Sequence, residues 1–293
     1  MAQNIIRVRD NIYTITENLG SNDSAIVTSA GVVLFDSPHK ASDAMNWRRF
    51  VESLGPTKYL IISDHHIDHT LSAYFFGGEM IATVGTRDTL LDRHPTIPFM
   101  DYVLGHFDPT GVPLIHGDYE YRIPDITVTD RMTLFLGDTE IQLIHKKGHT
   151  PNNLMAYLPK EKVLFSGDNV CECGLPSSQE CCLPDVFDTI DFILNELDVD
   201  TIVPGHGDVT DKEGARKYRQ MYFEYVNEIN ARMNRGDSKE KIQDELRFPD
   251  LIHCDTERYT GYPDEMVDGF QRNSVGRIYD QLLAMGGAWG DRK

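Results

Sequence analysis

The chain has 293 residues, 40% of them hydrophobic, which is enough for one large core or for a domain with an extension. Its formal charge of −18, from 28 Lys and Arg against 46 Asp and Glu, argues against a nucleic-acid partner and against an anionic membrane surface, both of which need a basic footprint. No apolar run is long enough to span a bilayer, and Met1 to Val8 lacks the cationic-then-apolar pattern of an export signal, so a cytoplasmic protein is expected.

Short strands are predicted at Asn11-Ile12-Tyr13-Thr14-Ile15, at Ala25-Ile26-Val27 and at Val32-Val33-Leu34-Phe35, the last leading into Asp36. Residues 41–54 carry Ala44, Trp47, Phe50, Val51 and Leu54 at helical spacing. Tyr59-Leu60-Ile61-Ile62 is a short apolar run with β-branched residues, the pattern of a buried strand. It runs straight into Ser63-Asp64-His65-His66-Ile67-Asp68-His69-Thr70. Imidazole nitrogen and carboxylate oxygen at this density suit divalent transition metals. Their mutual repulsion and desolvation need an offset, and a bound dication supplies one.

A helix through residues 71–76 and a strand Met80-Ile81-Ala82-Thr83-Val84 follow. Residues 92–124, with Pro95, Pro98, Tyr102, Pro109 and Pro113, have no clean period and read as a long loop or broken helix over the active site. His94, His106 and His116 within it read as surface or pocket residues rather than ligands. Three later strands then end as the first cluster does. Ile141-Gln142-Leu143-Ile144-His145 leads to Gly148-His149, Lys162-Val163-Leu164-Phe165 to Gly167-Asp168, and Thr201-Ile202-Val203 to Gly205-His206. Each delivers a His or Asp beside a glycine that lets the backbone turn. Four such groups in one chain point to one shared metal site.

Cys171, Cys173, Cys181 and Cys182 do not match the paired Cys-x2-Cys of a structural zinc site. They read as reduced thiols in a loop near the active-site mouth, with Cys171 against the pocket. From Asp211 the residues Ala215, Tyr218, Tyr222, Tyr225, Ile229 and Met233 step as an amphipathic helix. A second helix starts at Asp237-Ser238-Lys239-Glu240, and a last one runs near residues 266–285.

This ordered set resembles the metallo-β-lactamase superfamily, whose motif is His-x-His-x-Asp-His followed by Gly-His, Gly-Asp and Gly-His, and within it a glyoxalase II-like or lactonase-like branch. The resemblance covers residues 5–210 and takes in Asn22. It implies an αββα sandwich of two mixed β-sheets flanked by helices. A catalytic domain at 1–210 would be followed by a helical extension at 211–293, packed on that domain or on the partner in a homodimer. It implies two divalent metal ions: His66 and His149 on the first, Asp68, His69 and His206 on the second, Asp168 bridging, and Asp36 supporting the ligands from behind. Asp68 and Asp168 are then the catalytic carboxylates, orienting a water or carrying its proton.

One position departs from the pattern. Asp64 stands where the family has its first His. It is expected to bind through oxygen, which shifts preference from zinc toward iron or manganese. His65 is expected to face away into the supporting layer, since adjacent strand residues point to opposite sides. The activity implied is hydrolysis of a small-molecule ester, thioester, lactone, amide or activated aromatic substituent. Two alternatives stand beside it: a di-iron redox protein of the oxygen or nitric oxide reductase kind, and a non-enzymatic metal-binding protein.

Overall fold

The computed structural model describes residues 4–172, 174, 177–247, 262–286 and 289. The first sheet takes its strands in chain order: β1 (Ile6–Arg9), β2 (Ile12–Ile15), β3 (Asp23–Thr28), β4 (Gly31–Phe35), β5 (Thr57–Ile61), β6 (Glu79–Thr83) and β7 (Ile126–Val128). Pairing is antiparallel up to β4 and parallel from β4 to β7. The second sheet holds β8 (Arg131–Leu136), β9 (Thr139–His145), β10 (Leu154–Leu158), β11 (Val163–Cys171) and β12 (Thr201–His206), also in sequential order. There only β11 and β12 run parallel.

Alternation along the strands assigns the faces. Val33 and Phe35 point inward from β4, and Val163 and Phe165 meet them from β11. The Phe35 and Phe165 rings sit 5.4 Å apart between the sheets. Leu34 and Leu60 point outward under Trp47 and Val51 of α1 (Ala41–Leu54). On the opposite side Leu164 and Ile202 lie under α5 (Leu183–Glu196) and α6 (Lys212–Asn234). The result is the expected αββα sandwich. Each large side chain buried in these three layers contributes roughly 1.5–3 kcal/mol.

Among the described residues, the helices after residue 210 pack on the second sheet. Tyr218, Tyr222 and Ile229 of α6, Ile242 of α7 (Lys239–Glu245), and Val275, Ile278 and Leu282 of α8 (Asp264–Ala284) share one core with Ile144, Leu164 and Ile202.

Several elements differ from the sequence expectation. Residues 92–124 take the broken-helix form of the expectation rather than the long loop. They contain the helix α4 (Ile97–Phe107), which follows α2 (Ile67–Thr70) and α3 (Val84–Arg93), and a short 3-10 turn at Val112–Ile115. Pro98 sits in the first turn, where its missing N–H is no loss, and the Thr96 hydroxyl accepts from Phe99 N. Pro98 and Pro113 sit in the first turns of their helical pieces, while Pro95 and Pro109 stand in the breaks between them. Val84 likewise leaves the strand, because the Thr83 hydroxyl accepts from Thr86 N and caps α3. Residues 71–75 form a 3-10 helix. The strands β1, β7, β8 and β10 and the helices α3 and α5 have no counterpart in the sequence expectation. Finally, Gly167-Asp168 does not follow its strand but lies inside β11, whose pairing with β12 continues past it through bulges to Cys171 and His206, whereas Gly205-His206 forms the C-terminal end of β12 as expected.

Candidate metal centre

The centre forms where the ends of the two sheets meet. In the first sheet β4 and β5 stop side by side, and Asp36 N donates to Ile61 O. Asp36 then adopts a left-handed backbone, φ 58°, which a short polar side chain tolerates. Its Oδ1 accepts from Ser63 N at 2.7 Å, and its Oδ2 lies 2.9 Å from His69 Nδ1. With the His69 proton on Nδ1, the Nε2 lone pair faces Asp168 Oδ1 at 3.4 Å and Asp68 Oδ2 at 3.8 Å.

The second sheet supplies the other half. A Cβ on Gly205 would stand 1.9 Å from Asp168 Oδ1 and 2.7 Å from its backbone nitrogen, so only glycine lets β11 and β12 bring Asp168 and His206 together. Gly167 has φ 51°, and a Cβ there would meet Ser63 Cβ at 2.6 Å, where the two sheets touch. His206 Nδ1 donates to Gly20 O at 2.8 Å, leaving Nε2 3.3 Å from Asp168 Oδ2 and 3.4 Å from Asp68 Oδ2. The Asn22 side chain clamps this turn by donating to Pro204 O and Gly207 O.

Asp64, His66 and His149 assemble beside this group. Asp64 is fully buried. Its Oδ1 accepts from His66 N at 2.7 Å, while Oδ2 accepts from the Asn153 amide at 3.3 Å and lies 3.2 Å from His66 Nδ1. His149 Nε2 is 3.1 Å from His66 Nδ1, 3.5 Å from Asp168 Oδ2 and 3.8 Å from Asp64 Oδ2. Two groups of convergent ligand atoms result, Asp64/His66/His149 and Asp68/His69/His206, with Asp168 in reach of both.

The electrostatics describe a site built around positive charge. Burial alone would raise the Asp168 carboxyl, but His206, His69 and His149 outweigh it and hold it well below the usual range. Asp64 is held well below by His66 and His69 against the same burial, and Asp68 is lowered by His69 and His206. Against burial, the carboxylates Asp36, Asp68 and Asp168 push His69 well up, and Asp64 pushes His66 up to about 9. His149 is the exception: burial wins and lowers it to about 4. Divalent ions can replace such protons, because metal binding competes with protonation at the same atoms. The residues fit ions on a direct observation as well. His69 Nε2 and Asp168 Oδ1 face each other while buried, and neither has a hydrogen-bond partner among the described residues.

His65 belongs to neither of these two groups. Its Nε2 lies 3.1 Å from Glu180 Oε2, and Glu180 is also paired with Arg93 at 3.2 Å. With His66 these residues make a further potential ligand group, His65/His66/Glu180. Glu180 carries no local signal in the sequence. His39 was also missed: it is buried, burial lowers it to about 4, and its Nδ1 lies 2.8 Å from Tyr262 Oη. His94, His106 and His116 are exposed. Cys171 belongs to the core under α6 rather than to the pocket, because its position in β11 faces the outer helices. Cys181 is buried there too, Cys182 is half-buried, and Cys173 lies outside the described residues.

In front of the ligands opens a pocket of about 280 Å³, with His66, Asp68, His149, Asp168 and His206 among its lining. The family model of the metallo-beta-lactamase superfamily matches residues 17–206, a span that contains all seven candidate ligands. The chain belongs to the metallo-beta-lactamase superfamily. Among relatives, it is 25% identical over 193 residues to the Beta-lactamase-like protein 2 homolog of Caenorhabditis elegans, covering 66% of this chain and 58% of that one. It is 24% identical over 182 residues to a linear primary-alkylsulfatase of a Pseudomonas strain, covering 58% and 34%. It is 32% identical over 87 residues to the hydroxyacylglutathione hydrolase of Mesorhizobium japonicum, covering 29% and 34%. The matches thus span between a third and three fifths of these relatives. Among solved structures, a variant of the sec-alkyl sulfatase PisA1 aligns over 99% of this chain and 51% of that one, with TM-score 0.66 and 15% identity. A metallo-beta-lactamase from Pontibacter korlensis covers 73% and 95%, with TM-score 0.59 and 17% identity. At these identities the likeness shows the fold alone. Among the described residues no helix is long and apolar enough to cross a membrane.

Proposed function

We propose that the chain is a metal-dependent hydrolase acting on a small molecule. The observation that carries this reading is the pair of ligand groups with the Asp168 carboxylate within 3.5 Å of His69, His149 and His206. Asp64, His66 and His149 would hold a first divalent ion, Asp68, His69 and His206 a second, and Asp168 would serve both. Zinc suits the imidazole-rich second position, and the Asp64 oxygen shifts the first toward iron or manganese. Ions bound there supply Lewis acidity and activate water at neutral pH.

The chain's own residues prepare that chemistry. Asp36 and the Gly20 carbonyl hold the Nδ1 protons of His69 and His206, which aims both Nε2 lone pairs inward. Asp168 is almost fully buried, whereas the Asp68 side chain is 19% exposed at the pocket floor. Asp68 is therefore placed to orient a water and take its proton. Asp168 is placed to hold position. The bond cleaved is an ester, thioester, lactone, amide or activated aromatic substituent, and the alkylsulfatase relative adds a sulfate ester to that range.

The test is metal analysis of the purified chain followed by a hydrolysis screen across those bond types. Two equivalents of metal and turnover on one bond class are expected, with turnover and at least one equivalent of metal lost in Asp168→Ala and in His206→Ala. Full metal content and unchanged turnover in either variant would refute the assignment. An iron-oxo absorption band without hydrolysis would favour the redox alternative.

A further inference from the structure

The pocket before the metal ligands has two chemical halves. Its floor is polar and carries the ligands themselves. Its walls are mainly apolar, with Phe99 and Val103 from α4, Met266 and Phe270 from α8 and Ile67 from α2, and with Asn18, Ser177 and Gln179 as polar exceptions. Phe99 is 44% exposed, a large apolar side chain standing at the rim. α4 and α8 are remote in sequence, and specific contacts tie them. Tyr102 Oη donates to Glu265 Oε1 at 3.0 Å across the two helices. Tyr262, just before α8, lies 2.8 Å from His39 Nδ1 through its hydroxyl and packs edge-on against Phe107 of α4. The volume of about 280 Å³ equals about nine water molecules in the liquid, room for one aromatic ring or a medium alkyl chain.

We propose that the substrate carries an uncharged apolar arm, seated between α4 and α8, with its reactive group over Asp68 and Asp168. Phe99, Val103, Met266 and Phe270 then set specificity. An anionic arm finds no Lys or Arg among the described residues lining the pocket, and a cationic arm would meet carbon on both walls. The position of the reactive group rests on the hydrolase reading above, while the fit of the arm does not.

The experiment is calorimetric titration of the full-length chain, zinc-loaded and metal-free, with straight-chain hydroxamates from acetyl to octanoyl. Affinity for the loaded protein should rise about fourfold per methylene until the walls are covered. The metal-free protein should bind more weakly but show the same increment per methylene. Phe99→Ser, at a half-exposed position that does not threaten folding, should flatten the series, and so should Val103→Asp if it folds. Leu283→Ser, on an exposed stretch of α8 outside the pocket, should leave the series unchanged. A flat series in the native protein overturns the proposal. So does an unaltered gradient in Phe99→Ser, a carboxylate-ended hydroxamate binding as well as its alkyl counterpart, or no binding of any member to either form. A chain-length gradient in a protein that fails the metal analysis and hydrolysis screen would overturn the hydrolase reading and leave the arm in place.

Discussion

Asp36→Asn separates the support of the centre from the centre itself. Asparagine adopts the left-handed backbone that residue 36 requires, so the change removes one charge and one acceptor without moving the chain. The carboxylate makes two contacts at once, accepting from Ser63 N at 2.7 Å and meeting His69 Nδ1 at 2.9 Å. An amide offers one oxygen and cannot satisfy both. If the oxygen stays on Ser63, the amide N–H groups face His69 Nδ1 and drive its proton to Nε2, the atom aimed at Asp68 and Asp168. If the oxygen turns to His69, the Ser63 N–H is buried without a partner, at about 1–3 kcal/mol. Loss of such a supporting partner lowers metal affinity by roughly 10- to 100-fold, or about 1.4–2.8 kcal/mol. Ser63 Oγ lies 3.0 Å from the same Nδ1 and offers a partial substitute, which puts the expected loss nearer tenfold. Zinc affinity would be read by competition with a chromophoric chelator, and thermal unfolding of the metal-free form would register the second outcome. Native affinity together with native melting temperature would refute the reasoning.

Gly205→Ala should destabilise the metal-free protein by about 1–3 kcal/mol and lower its metal content, because the new methyl group meets Asp168 at its carboxylate and at its backbone. Calorimetric unfolding with metal analysis checks it, and native values for both would contradict the close approach. Asp64→His should raise zinc affinity at the first position while lowering the melting temperature of the metal-free form, since His66 N–H and the Asn153 amide lose their acceptor; unchanged stoichiometry and affinity in titration calorimetry would mean that Asp64 is not a ligand. Glu180→Gln tests the His65 contact through pH. The hydrogen bond to His65, followed by its charge, lowers Glu180 from 4.5 to about 2 against partial burial. A depressed acid stabilises above its unfolded value, so the stability gap between native and variant should shrink as pH falls below 4.5 and close near 2. Urea titrations across that range measure it, and a gap independent of pH would refute the assignment.

Local pattern in the chain was enough to mark the candidate ligands and the strands that carry them. Each ligand sits at or near the end of a run of alternating or continuous apolar residues, and strand periodicity and metal-ligand chemistry are both short-range properties. Trp47 and Val51 in α1, and Tyr218, Tyr222 and Ile229 in α6, were legible for the same reason. Signals that were present but unread include Leu183, Val186, Phe187, Ile190 and Ile193, spaced as a helix after Cys182 with Pro184 in its first turn, and the all-buried run Leu154–Leu158. The remainder was decided by long-range pairing. His69 gains its orientation from Asp36, 33 residues away, His206 from the Gly20 carbonyl, 186 away, and His39 meets Tyr262 across 223 residues. No periodicity encodes such partners. They follow from which strand ends the two packed sheets bring together and from the need of each buried polar atom for a partner once water is gone.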